Sequence, residues 1–379
     1  MNIHGSKEIF MSNVKLTDGI ISVSELNSRT MSLVEITNLA LVNIFQNGEN
    51  IDSGNITKSR EILDLFIKFS PTRFPLSANA YAEYEDQIRK AISNSSPIKF
   101  IFIALPFKCF MNPLKTGRKT PDLGEVSMFL RIKSISDAIK RIYQPGAIWT
   151  ILTEGSLYSK LFKVKEEDIR MYQDGIKNFI SALNLGETIF IEELRTVCES
   201  NSNFYQTVNS LEKKISKEFE VESDLPKEYY SVLNTMLQSV DTRGLSIEDL
   251  YEYQNCIANA KTLDDIRKQW PVFVSQAIDF TIKYLALNKA RTILGSNGNM
   301  VNDAYPDHCY VSITEKNNRL CFKPISSNGK FLPHHGVPII KPDGISIVPL
   351  MDVLCKKDHY DSLYLTGDVE SLPFCYVKK

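Results

Sequence analysis

Between residues 98 and 191 short apolar runs alternate with longer stretches of helical spacing, and few folds tolerate that alternation. Ile98 to Leu105 is a compact run of β-branched and aromatic residues ended by Pro106, as expected of a strand buried on both faces. Val126, Phe129, Leu130, Ile132, Ile135, Ala138, Ile139 and Ile142 then recur at helical spacing until Pro145-Gly146. Ala147 to Thr153 reads as a second buried strand, Asp168 to Leu183 as a second helix and Thr188 to Ile191 as a third strand. Strand, helix, strand, helix, strand predicts a Rossmann-like parallel α/β core with right-handed crossovers. Ligands sit beyond the carboxyl ends of such strands, so the segments starting at Pro106, Glu154 and Glu192 should share one edge.

On either side the texture differs. Met31 to Phe45, Arg60 to Phe69 and Tyr81 to Ile92 read as helices, the first two separated by a polar loop at Gln46 to Asn55. Helical spacing returns from Asn203 to Leu294, including Ile247 to Ala258 and the amphipathic Phe273 to Leu287. Beyond His308 the pattern is β, with period-2 runs at Cys309 to Thr314 and Leu320 to Ile325 and turns at Asn317-Asn318, Asn328-Gly329 and Asp343-Gly344. The expected organisation is an N-terminal helical segment over 1–95 and a second unit over 96–379. That unit comprises a parallel core (97–193), a helical insertion (200–295) and a β-rich part (305–379).

Composition narrows the function. The 379 residues carry 44 Lys and Arg against 45 Asp and Glu, a net charge of -1, so no bulk basic excess exists for a nucleic-acid backbone or an anionic membrane. The longest apolar run, about Phe100 to Phe107, is far short of the roughly 20 residues of a spanning helix. Residues 1–19 lack the pattern of a secretory signal, and the expectation is a soluble, cytoplasmic protein. Seven cysteines without a Cys-x-x-Cys pair fit neither a disulfide framework nor a zinc site, and are expected to be reduced and mostly buried.

The loop from Pro106 to Glu125 holds Lys108, Lys115, Arg118 and Lys119 without an acidic residue among them, then Asp122 and Glu125 at a helix mouth. Such a loop could hold a phosphate or carboxylate; the plainer reading is a solvated loop whose acids cap the helix. Thr153-Glu154-Gly155 puts a carboxylate on the same edge, as a general acid or base or as an ordinary turn residue. Four of the five histidines, His308, His334, His335 and His359, fall late in the chain. In an extended segment His334 and His335 would face opposite sides, so at most one should reach a given pocket. No pair among His308, Cys309, His334 and His335 has a metal-ligand spacing, and hydrogen bonding or acid/base work is the preferred reading. Glycine-rich dinucleotide and triphosphate loops, a Gly-x-Ser-x-Gly elbow and His-Glu-x-x-His are absent, which disfavours common cofactor chemistry. Gly295 to Asn299 follows a helix and reads as a C-cap and turn.

Leu105-Pro106-Phe107-Lys108, Pro121-Asp122-Leu123-Gly124-Glu125, Tyr143-Gln144-Pro145-Gly146-Ala147 and Thr153-Glu154-Gly155, with Tyr158 and Leu161 beyond, resemble in order and spacing the pyoverdine/dityrosine biosynthesis family of isocyanide (isonitrile) synthases. Tyr305-Pro306-Asp307-His308, Val311-Ser312-Ile313 and Leu332-Pro333-His334-His335-Gly336-Val337-Pro338 are similar to its C-terminal blocks, closest to the bacterial pyoverdine-cluster branch. The likeness runs from about Pro97 to the end. Two departures stand out. Thr153-Glu154-Gly155 replaces Ser-Asp-Gly, and Tyr310-Val311-Ser312-Ile313-Thr314 replaces Arg-Leu-Ser-Ile-His; if the lost Arg is a carboxylate clamp, Arg291 or a loop cation must replace it.

The resemblance implies conversion of the α-amino group of an amino acid, typically tyrosine or tryptophan, to an isocyanide with ribulose 5-phosphate as carbon donor. Neither metal nor organic cofactor is implied. It suggests an iron/2-oxoglutarate oxygenase as a downstream taker of the product. The reaction needs an anion site, a deprotonated amine and groups that move protons. The expected substrate contacts are Lys108, Arg118, Lys119, Arg291 and His334, and the expected acids and bases are Asp122, Glu125, Glu154 and His335. Tyr158 is read as packing. The alternative is a non-catalytic relative that binds an amino acid or sugar phosphate.

Overall fold

The computed structural model describes residues 58–220, 225–325, 331–341, 344–365, 370 and 372–379, with the backbone of Ile20–Ile21. The helix expected at Met31 to Phe45, the loop after it and the turn at Asn328-Gly329 lie outside the described residues.

Four parallel strands form the core in the order β4-β3-β2-β5: β2 (Ile98–Ala104), β3 (Ala147–Thr153), β4 (Ile189–Glu193) and the short β5 (Cys309–Tyr310). Ala104 pairs with Thr153 and Thr153 with Glu193, so the carboxyl ends of three strands lie level and the chain leaves them at Leu105, Glu154 and Leu194 on one edge. This is the expected α/β core and its shared edge.

Helices α1 (Lys58–Phe69) and α2 (Ala78–Ser93) precede the sheet, and α3 (Leu123–Ile142) and α5 (Glu166–Ala182) make the crossovers. α3 is buried on every side over Leu123–Ile132, and the Trp149 Nε1 of β3 donates to Ser136 Oγ of α3 at 2.9 Å. Phe66, Phe100, Trp149 and Phe322 stack on one sheet face with ring centroids 4.7–5.8 Å apart, locking α1 to the strands. α4 (Gly155–Phe162), α6 (Leu194–Glu199) and a layer of α7 (Phe204–Phe219), α8 (Lys227–Leu237), α9 (Ile247–Asn259), α10 (Leu263–Gln269), α11 (Pro271–Ile293) and α12 (Met300–Ala304) complete the helices before β5.

A second, mixed sheet has the order β1-β8-β9-β6-β7: β1 (Ile20–Ile21), β6 (Val337–Lys341), β7 (Gly344–Val348), β8 (Tyr360–Leu365) and β9 (Cys375–Lys378), with α13 (Leu350–Leu354) inserted after β7. The expected strand at Leu320 to Ile325 is reduced to one bridge, Ser312 to Cys321. Phe322 N makes that bridge to Ser312 O, while the other donors go elsewhere, Leu320 N to Tyr84 Oη and Lys323 N to Ser70 Oγ. Leu320, Cys321 and Phe322 are all buried, without alternation and without a ladder. The run expected at Cys309 to Thr314 is a strand only at its first two residues, because Val311 N reaches Ile101 O and the chain then turns to Leu320.

Among the described residues no helix is long and apolar enough to cross a membrane. All seven cysteines are free, and five are buried.

Candidate active site

The level carboxyl ends open into a cavity of about 290 Å³. β2 contributes its exit, from Ile103 to Met111; β3 contributes Glu154 and, through α4, Tyr158 and Phe162. α8 and α11 close one side, β5's exit another, and the turn before β6 forms the floor with His334 and His335.

Glu154 reaches this place because α4 starts immediately beyond β3. A Cβ on Gly155 would lie 2.3 Å from Pro106 O and 2.7 Å from Ile169 Cγ2, so only glycine lets the β3 exit pass so close to the β2 exit. Burial raises the proton affinity of Glu154, while Arg291, Tyr158 and Lys316 pull it back only in part. The Tyr158 hydroxyl lies near that carboxyl, buried and without a well-formed hydrogen bond.

Opposite stands Arg291 of α11, 6% exposed. Its Nη2 donates to Asn288 Oδ1, whereas Nε and Nη1 have no protein partner. Burial opposes its charge, but Tyr158 and Glu154 more than offset this, so the guanidinium stays cationic. Lys316 stands at the exposed mouth. A buried guanidinium with two spare donors is suited to an oxyanion.

The floor corrects a reading of the sequence. Pro333–His335 is a 3-10 turn, not an extended segment, so both imidazoles line the cavity with ring centroids 4.4 Å apart. Gly336 permits the turn, since a Cβ there would sit 2.4 Å from Val348 O of β7. Burial pushes His334 down to about 3, and burial with the neighbouring His334, Lys115 and Lys108 holds His335 well below the ordinary value. Both rings are neutral near pH 7 and His334 Nδ1 has no partner.

Behind the floor lies a fully buried charged cluster. Lys108 Nζ contacts Asp122 Oδ2 at 2.8 Å, Glu125 Oε2 at 3.0 Å and the Pro333 carbonyl at 2.8 Å. Asp122 and Glu125 form the capping box that starts α3, and Tyr172 Oη donates to Glu125. Burial raises Asp122 to about 7; in Glu125 burial is outweighed by Lys108 and hydrogen bonds from Asp122, which lower it.

The expected site residues therefore divide. Glu154, Arg291, His334 and His335 come together in the cavity; Lys108, Asp122 and Glu125 lie behind its floor; Arg118 and Lys119 point away. Arg118 donates to Thr120 and to the Leu372 and Pro373 carbonyls, and Lys119 pairs with Asp168 at 2.7 Å. Lys108, Lys115 and Arg118 face protein instead of solvent, and Lys119 is partly exposed. His308 lines a different, polar cavity, and among the described residues no group of three His, Cys, Asp or Glu is placed to hold a metal.

Tyr284 and Asn288 also line the cavity but were not singled out in the sequence. Their spacing with Arg291 (i, i+4, i+7) marks one stripe of α11, a signal that the amphipathic reading ending at Leu287 cut short. Tyr158 lines the cavity as well as packing against Tyr284, 5.5 Å away ring to ring.

Fold and cavity together define an α/β protein with a small-molecule site at the carboxyl edge of a parallel sheet. The chain belongs to the pyoverdine/dityrosine biosynthesis protein family, whose model matches residues 88–358. It is similar to isocyanide synthase A of Aspergillus fumigatus, 25% identical over 179 residues, covering 44% of this chain and 28% of that one. It is also similar to the L-tryptophan isonitrile synthase AmbI1 of Fischerella ambigua, 27% identical over 138 residues (36% and 41%). The L-tyrosine isonitrile synthase of Xenorhabdus nematophila is 30% identical over 131 residues (30% and 38%). The matched stretches thus span well under half the length of these relatives. The crystal structure of the PvcA protein from Pseudomonas aeruginosa shares the fold, with a TM-score of 0.63 at 17% identity over 85% of this chain and 100% of that one.

Proposed function

We propose that the protein is an isocyanide synthase that converts the α-amino group of an amino acid to an isocyanide, with ribulose 5-phosphate as carbon donor. The observation that carries this reading is family membership across 88–358 among relatives named isonitrile synthases for tryptophan and tyrosine. The lining of the cavity supports this reading. Arg291, with two spare donors and Lys316 at the mouth, takes the carboxylate or phosphate. Glu154, its proton affinity raised, and the neutral His334 and His335 accept and return protons during imine formation and carbon–carbon cleavage. Phe107, Phe162, Tyr158 and Tyr284 supply an aromatic wall for a tyrosine or tryptophan side chain.

The test is to incubate the purified protein with uniformly 13C-labelled ribulose 5-phosphate and each amino acid in turn, trapping the isocyanide for mass spectrometry. A trapped adduct with one labelled carbon is expected, largest with an aromatic amino acid. Folded protein that yields no adduct, yet melts higher with ribulose 5-phosphate, would establish the non-catalytic binding protein instead.

A further inference from the structure

The loop between β2 and α3 buries two lysines, and they are treated oppositely. Lys108 has two carboxylates. Lys115, 6% exposed, has none among the described residues; its Nζ makes one hydrogen bond, to Ser239 Oγ at 3.3 Å. Taking a lone ammonium out of water is costly, so burial lowers the proton affinity of a lysine kept this way. Ser239 is a cavity-lining residue just beyond α8, and its hydroxyl donates to Thr235 O at 2.8 Å. The pair is held firmly: Asn112 Nδ2 donates to Gln238 O, Thr242 N to Met111 O, and Leu350 N to the Lys115 carbonyl.

We propose that Lys115 and Ser239 form a proton-transfer pair at the cavity edge, with Ser239 facing the substrate and Lys115 storing the proton. The proposal rests on the amine chemistry proposed above. The substrate ammonium gives a proton to Ser239 Oγ while the serine's own proton turns from Thr235 to the Lys115 nitrogen. One substrate N–H bond breaks, one N–H bond forms on Lys115, and no electrons change hands. The amine regains the lone pair with which it attacks the ketone, and the stored proton returns to the hydroxyl lost as water when the imine forms.

The surroundings favour the free amine. On its own loop the ionisable neighbour is the Cys109 thiol, and burial outweighs it in lowering the lysine's proton affinity. The turn presents His334 and His335, both neutral, and Lys108 is neutralised by its own carboxylates. Beyond α8, Asp241 is engaged by Arg243 at 2.8 Å, and Asp352 on α13 is exposed.

The first measurement is a 13C NMR titration of protein labelled at lysine Cε, with the Lys115 signal identified by its loss in Lys115→Arg. A midpoint at or below the pH of the assay is expected, against 10.5 for an ordinary lysine; one above the assay pH overturns the proposal, whatever reaction the protein performs. The second is kinetic. Lys115→Arg, which cannot give up its charge, is expected to lower kcat about 100-fold or more with KM little changed, and to remove the acid limb of the kcat/KM profile. The smaller change Ser239→Ala is expected to lower kcat at least about tenfold, and serves if Lys115→Arg does not fold. Near-wild-type kcat with an unaltered pH profile in either folded variant overturns the proposal. Absence of turnover in the wild type counts against the isocyanide synthase reading and leaves the titration to decide this one.

Discussion

The ammonium of Lys108 donates to the carbonyl oxygen of Pro333, 2.8 Å away and 225 positions along the chain. The next residue repeats the connection, Cys109 N donating to His334 O at 3.0 Å. The buried ion cluster that starts α3 is thereby fastened to the turn carrying both imidazoles. Charge that cannot touch a substrate in the cavity still decides where the groups that line it stand.

Removing that ammonium leaves two carboxylates in a dry interior. Lys108→Met is expected to destabilise the protein by about 3–5 kcal/mol, read from urea unfolding, because a broken buried pair exposes the full cost of the orphaned charge. Adding Asp122→Asn and Glu125→Gln should recover part of the loss. A triple variant no more stable than Lys108→Met would show that the cluster acts through packing and not charge.

Arg291 has the opposite balance, being a buried cation with donors to spare. Arg291→Met, which also takes the neighbouring cation from buried Glu154, is expected to lower the melting temperature slightly, while weakening ribulose 5-phosphate or amino-acid binding roughly 10- to 100-fold by calorimetry. Unaltered affinity for both ligands would remove the anion clamp from the site.

Acid should destabilise the fold through the turn. The unfolded chain protonates its histidines as pH falls through 6.5, but folded His334 does so only near 3. Between those values the unfolded state binds more protons, so stability is lost as pH drops, by up to about 1.4 kcal/mol per pH unit for each such imidazole. Asp122 works in the other direction: raised from 3.8 to about 7, it keeps its proton in the fold where the unfolded chain has released it. His334→Gln should therefore flatten the loss between pH 6.5 and 4, and Asp122→Asn should steepen it, both read from chemical denaturation across pH.

Gly155→Ala forces a methyl group against the Pro106 carbonyl and Ile169. A cost of about 1–3 kcal/mol is expected, with kcat falling more than stability alone explains, because Glu154 moves with the β3 exit. Full activity and stability in this variant would mean that the two strand exits can separate freely.

The parallel core and its shared edge were legible because strand and helix periods are local properties, and Ala147–Thr153 is bounded as its residues suggest. The site was only half legible. Glu154 announces itself beside a glycine at a strand end, but no periodicity shows that Lys108 turns inward to Asp122 while Lys115 turns to Ser239. The Pro333 carbonyl that also holds Lys108 and the Ser239 hydroxyl that holds Lys115 are each more than a hundred positions away. The paired imidazoles were hidden for a related reason: Pro333 begins a 3-10 turn whose geometry is imposed by Lys108, Cys109 and the close passage of Gly336 past β7.

Part of the cavity's apolar wall stands on a different element from its acid and its imidazoles. Val232 and Met236 come from α8, whereas Glu154, His334 and His335 come from a strand exit and a C-terminal turn. Substitution at Val232 or Met236 can therefore reshape which side chain is admitted while leaving Glu154 and the imidazoles in place, whereas change in the charged loop is tied to both the start of α3 and the histidine turn. Val232 and Met236 are thus the positions where the shape of the cavity can change at least cost to the rest of the site.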